Sequence, residues 1–182
     1  MKKIVLPVLA LLMILLTACP YQSIAPLGSS DNAEKYDKLL VGEWSCKNDD
    51  GTFIELTFSA ESKKTLHTYL ANIDKSKTKS QPEYFKTWAT NISNNLIFNA
   101  QSKDSLFTFF KAELAGNDKF YLTYVNEKFV KENFSQHENP STESIHQFIE
   151  KNLSNENLFS NRLMFVRIGS SLHKLQQSKK GF

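Results

Sequence analysis

Cysteine is nearly missing from this chain: Cys19 and Cys46 are the only two among 182 residues. If Cys19 is spent on another bond, no internal disulfide can form even in a compartment that permits one, and stability must come from a core. A large excess of charge of one sign is missing too. The sequence carries 22 basic and 19 acidic residues, and two of the basic ones are Lys2 and Lys3. So balanced a chain lacks the clustered Lys and Arg on which nucleic-acid binding draws. Lys75, Lys77 and Lys79 alternate with Ser and Thr ahead of Pro82 and read as a solvated loop. Glu127, Glu132, Glu138 and Glu143 read as solubilising charge.

Signatures of chemistry are absent as well. His67, His137, His146 and His173 show no i, i+4 pair of the kind that binds a metal from a helix. No serine sits in Gly-X-Ser-X-Gly, and no phosphate-cradling loop is present. Cys46 shares a strand face with Trp44 and reads as a small buried apolar residue, not a nucleophile. No cofactor, metal or catalysis is therefore expected.

Long apolar runs are absent after Leu16. The one that exists, Ile4 to Leu16, is uncharged, follows Lys2 and Lys3, and is interrupted by Pro7. A membrane-spanning helix needs roughly 20 apolar residues, so this run is too short to span and has the layout of a secretory signal. It ends in Leu16-Thr17-Ala18-Cys19, which resembles the lipobox of bacterial lipoproteins: an aliphatic residue, two small residues and the cysteine. The resemblance implies a diacylglycerol on the Cys19 sulfur, cleavage after Ala18, and an acylated new N-terminus. Acyl chains contribute about 0.8 kcal/mol per buried methylene, which makes such an anchor effectively permanent. Pro20 follows the cysteine where an inner-membrane lipoprotein often has aspartate, and no acidic run follows. Outer-membrane placement facing the periplasm is expected.

Removing residues 1–18 leaves enough chain for one domain burying roughly 68 to 70% of its unfolded surface. Residues 19–37, with Pro20, Pro26, Gly28, Ser29 and Ser30 and no hydrophobic period, read as a lipidated tether holding the domain off the bilayer. From Leu39 the pattern becomes short apolar segments of period two broken by Gly, Asn, Asp and Lys, the mark of antiparallel strands. The expected strands are 39–47, 52–59, 64–73, 84–92, 96–100, 104–114, 119–125 and 161–168. Asn48-Asp49-Asp50-Gly51 makes the first two a hairpin.

Between the last two strands the period changes to that of a helix. Ile145, Phe148, Ile149, Asn152 and Leu153 share a face, with Ser141 as N-cap and Glu143 near the positive helix end. The tail, residues 170–182, is polar and basic and is expected to fray. The fourteen phenylalanines, six tyrosines and two tryptophans supply the core.

Strands this many, joined in sequence, would leave two bare edges in an open sheet, and joining first to last removes them. Gly42-Glu43-Trp44 on the first strand resembles the Gly-X-Trp that opens lipocalin-like barrels. The resemblance implies an up-and-down antiparallel β-barrel of about eight strands over residues 38–169, mainly β, with one helix before the last strand. In that family the tryptophan plugs the closed end, the glycine allows a close backbone bend, and a late basic residue packs over the tryptophan. Gly42 and Trp44 match the motif, and Arg162 or Arg167 is the candidate basic residue. The mature region, with its Cys-Pro-Tyr-Gln-Ser start, is also similar to uncharacterised Gram-negative envelope lipoproteins.

Two functions are compatible with this pattern. In the first, the barrel takes up a small apolar or amphiphilic molecule, with Trp44 at the floor and Trp88, Phe107 and Phe109 lining the cup. In the second, phenylalanines fill the barrel and its surface serves a protein partner in envelope assembly. The membrane is a partner in either case, through Cys19.

Overall fold

The structure is a computed structural model that describes residues 20–160 and 162–178. Eight consecutive antiparallel strands form a closed barrel: β2 (Gly42–Lys47), β3 (Phe53–Ala60), β4 (Thr65–Ile73), β5 (Glu83–Ile92), β6 (Asn95–Ser102), β7 (Phe107–Leu114), β8 (Lys119–Tyr124) and β9 (Leu163–Arg167). Each pairs with the next in sequence, and β9 returns to β2 through Trp44↔Arg167 and Ser45↔Val166 to close the ring. A two-residue strand, β1 (Gln22–Ser23), lies outside and pairs with the start of β7. The turns carry the positive φ angles that hairpins demand, at Gly51, at Ser93 and Asn94, and at Gly116.

Alternation along the strands sorts side chains into two cores. The inner one fills the barrel with Trp44, Cys46, Leu56, Phe58, Leu66, Ala89, Phe98, Phe110, Phe120 and Phe165. The register supports this sorting, because Trp44 lies opposite Leu56, Leu56 opposite Leu70, and Phe120 opposite Phe165. The outer core lies between the outer face of β5 to β7 and the segments that wrap it. Those segments are α1 (Glu127–Asn133), α2 (Thr142–Asn152) and the N-terminal stretch carrying Tyr21, Leu27 and Ala33.

Helix α2 begins where expected. Ser141 and Ser144 form a reciprocal capping box, Glu143 sits in the first turn, and Ile145, Phe148 and Ile149 are buried. Helix α1 was not foreseen; it is short and starts from Asn126, whose side chain accepts hydrogen bonds from the Lys128 and Phe129 amides. The expected fraying tail contains a third helix, α3 (Ser171–Ser178), against β9.

Residues 20–37 correct the largest expectation. They are packed on the barrel instead of standing off it: Tyr21, Ser23, Leu27 and Ala33 are each buried to 2% exposure or less. The sequence shows no period there because the contacts are individual. The Tyr21 amide donates to the Val125 carbonyl, the Leu27 amide to Asn99 Oδ1, and Trp88 Nε1 to the Gly28 carbonyl. The domain boundary expected at 38 thus falls inside a continuous packed unit.

Candidate functional site

The two ends of the barrel differ, and the difference follows from where the large rings fall. At one end, here the floor, Trp44 meets Phe120 edge-on at 4.8 Å, and Phe120 stacks on Phe165 at 5.0 Å. Trp44, Phe58, Leu66, Phe120 and Phe165 are all sealed from solvent. Trp44 Nε1 donates to the Leu40 carbonyl at 2.8 Å, so its one polar atom is satisfied inside the apolar plug.

Arg167 lies outside this plug, its guanidinium 4.2 Å from the centre of the Trp44 ring. Its three nitrogens donate to the carbonyls of Asn117, Val41 and Leu39. Arg162, the other candidate for this place, instead covers Tyr121 and pairs with Glu113. Gly42 has φ +137°, and a Cβ there would collide with Arg167 Nη1. Glycine is needed at that position on both counts.

At the other end, the mouth, the inner wall opens. Ile54, Leu70, Phe85, Leu122, Tyr124 and Leu163 belong to the inner core but are only half-buried. A buried hydroxyl pair, Thr68 to Thr87 at 2.9 Å, marks the middle of the wall. On one side of the mouth the barrel is split: the β2–β9 pairing stops at Ser45↔Val166, short of Cys46 and Lys47. A cleft of about 590 Å³ occupies this split, reaching from inner residues Cys46, Tyr124 and Leu163 to Met164 and Gln176 outside. Asp49, Glu156 and Arg162 give its rim charge of both signs. A smaller hollow of about 210 Å³ lies on the outer face of β3 and β4, beside Tyr69 and Lys79.

Trp88, Phe107 and Phe109, expected to line the cup, face away from it. Each belongs to the outer core beneath the helices and the N-terminal segment, while their neighbours Thr87, Ala89, Thr108 and Phe110 occupy the inner register. Alternation told the two faces of each strand apart but not which face was inside, and both faces are apolar here because both are covered. The wall residues that do face the mouth, Phe85 and Tyr124 among them, carry no local signal that marks their face as the inner one.

The remaining candidates have structural partners. His146 Nδ1 meets the Leu27 carbonyl, His137 Nδ1 the Phe134 carbonyl, His67 lies 3.4 Å from Glu61, and His173 contacts the Gly169 amide. No group of three or more metal-ligating side chains occurs among the described residues. Burial pushes the Cys46 thiol above its ordinary pKa, which keeps it protonated. Lys79 pairs with Glu55 at 2.6 Å, and Lys75 and Lys77 lie in the turn between β4 and β5. Ala18 and Cys19 lie outside the described residues. No described helix is long and apolar enough to cross a membrane. Compared with known protein families, curated proteins and solved structures, the chain matches none.

Proposed function

We propose that the chain is a lipid-anchored, non-catalytic protein of the cell envelope that holds a small amphiphilic molecule in the open end of its barrel. The observation that carries the reading is the gradient along the inner wall, from a floor closed by Trp44, Phe120 and Phe165 to half-buried apolar residues at the mouth. A half-buried apolar wall above a sealed floor suits an acyl or ring moiety, and the charged rim of the adjoining cleft suits a polar head. Gly42, Trp44 and Arg167 stand together as the resemblance to lipocalin-like barrels implies. Anchoring rests on the Leu16 to Cys19 motif, outer-membrane placement on Pro20, and the periplasmic face on the lack of an acidic run after Cys19.

Native mass spectrometry of the purified protein after exposure to an envelope lipid extract tests the binding. A retained small molecule is expected, and Phe85→Asp, which puts a charge on the wall, should lose it while Trp88→Phe keeps it. A protein that stays empty across such extracts overturns the reading. Replacing Cys19 by serine should abolish both the lipid mass and membrane partitioning.

A second reading has its own observation. Phe58, Phe98, Phe110, Phe120 and Phe165 fill much of the barrel, with Phe98 stacked on Phe110 at 5.0 Å, which suits a solid scaffold serving envelope assembly through its surface. Crosslinking in intact cells separates the two: a specific heterologous adduct favours the scaffold, and recovery of monomer alone counts against it.

A further inference from the structure

The stretch that would have been a tether fixes how the protein sits. Pro20 bridges Asn126, the second residue beyond β8, and the Tyr21 amide donates to the Val125 carbonyl. Gln22 and Ser23 then pair with Thr108 and Phe107 at the start of β7. Tyr21 is 2% exposed, and its hydroxyl donates to the His137 carbonyl at 2.7 Å. The backbone contacts lie in the mouth half of the barrel, where β8 stops and β7 begins. One peptide bond separates Pro20 from Cys19, and consecutive Cα atoms are about 3.8 Å apart. A lipid on Cys19 therefore has no linker between it and the folded barrel.

The same end carries the two most exposed large apolar side chains among the described residues. Ile24, 54% exposed, directly follows β1 where it meets the start of β7. Leu175, 57% exposed, precedes Gln176, which lines the mouth cleft with Cys46. Single exposed apolar residues are common on any surface. Here they share an end with the attachment point, where shallow contact with acyl chains would hold them.

We propose that the protein rests on the bilayer with its barrel mouth against the lipid surface and its Trp44 floor directed away, so that the occupant of this face is the membrane that holds the anchor. This rests on the lipid-anchor reading. It adds to that reading that the cup and the cleft open toward the headgroup layer, which gives an amphiphile a path from bilayer to barrel without crossing open water. The turn between β3 and β4, at the floor, is then separated from the membrane by most of the strand length, about 20 to 25 Å for tilted strands of this size.

The experiment uses the full chain, matured in cells and purified from membranes, in vesicles of phosphatidylethanolamine and phosphatidylglycerol containing a nitroxide-bearing lipid. A fluorophore is placed at the mouth through Lys103→Cys or at the floor through Lys63→Cys, both exposed turn positions. The buried Cys46 should remain unlabelled. Quenching several-fold stronger at position 103 than at 63 is expected. A Gly/Ser linker of about 15 residues between Cys19 and Pro20, reaching about 20 Å, should remove the difference. Equal quenching without the linker, in protein whose intact mass shows the diacylglycerol, overturns the orientation and leaves the anchor reading standing. An intact mass without lipid overturns both.

Discussion

Arg167 shows how much one side chain can join when its geometry is right. A planar fork reaches carbonyls on two separate segments, Leu39 and Val41 on one and Asn117 on the other, while its face covers Trp44. Lysine has the charge but neither the fork nor the flat face. Arg167→Lys should therefore lower stability by about 1 to 3 kcal/mol, read as a shift in urea midpoint. Gly42→Ala should cost a similar amount, about 1 to 3 kcal/mol, from backbone strain and collision with the guanidinium. The two effects share an atom, so in an Arg167→Ala background Gly42→Ala should cost measurably less; strict additivity would show that the collision does not matter. Buried acids act through pH. Burial raises the Cys46 thiol and the Tyr21 phenol above their ordinary values. In the unfolded chain these groups ionise at their ordinary values while the folded chain keeps its protons, so the unfolded state binds fewer protons and stability falls as pH rises. The benefit is fully present below about pH 8.5 and should decline above it, first through Cys46 and then Tyr21. Denaturation at stepped alkaline pH should show the early part of that decline disappear in Cys46→Ala.

At the scale of elements, what could be read in advance depended on periodicity. Each of the eight barrel strands and helix α2 fell within a few residues of its expected span, because period-two segments, Asp-Gly and Asn-Asn turns and the Ser141 cap are local signals. Helix α1 was missed because its seven residues offer two turns and only Phe129 and Val130 as buried positions. Segment 20–37 was misjudged because its order is borrowed. Asn99, fully buried on β6, accepts from the Leu27 amide and donates to Thr90 Oγ1, and His146 of α2 meets the Leu27 carbonyl. None of these partners is near in sequence. Asn99→Ala would leave the Leu27 amide buried and unpaired, at a cost of about 1 to 3 kcal/mol. Limited proteolysis should then cut within 20–37 while the barrel stays intact, and a variant as resistant as the parent would show that the segment is held by its apolar contacts alone. The candidate site was legible only at its floor. Gly42 and Trp44 were visible and the resemblance implied a late basic residue, but choosing Arg167 over Arg162 required the register of β9 against β2. The inward face of β5 to β7 could not be chosen while helices and N-terminal segment also covered the outer one.

For the whole molecule, the outer core makes the N-terminal segment part of the domain. A chain beginning at 38 loses the burial of Tyr21, Leu27 and Ala33 and leaves Asn99 Oδ1 without the Leu27 amide and the Trp88 indole N–H without the Gly28 carbonyl. The loss should exceed about 5 kcal/mol, comparable to the entire stability of an ordinary domain. Residues 20–182 should unfold in one cooperative thermal transition, whereas 38–182 should be insoluble or show no such transition by circular dichroism. The joint between β2 and β9 also sets an order of events. Arg167 and the Val41 carbonyl it grips are 126 residues apart, the kind of separation that makes a contact late to form. Any chain that emerges with its first residues leading, from a ribosome or a translocation pore, shows its first barrel strand long before the last one exists. Until the far end arrives, that strand keeps a bare hydrogen-bonding edge and an uncovered indole ring, both invitations to chaperones and proteases. The clasp can be fastened only once β9 has emerged, so a product truncated or stalled before it would be recognisable to quality control by the strand it lacks.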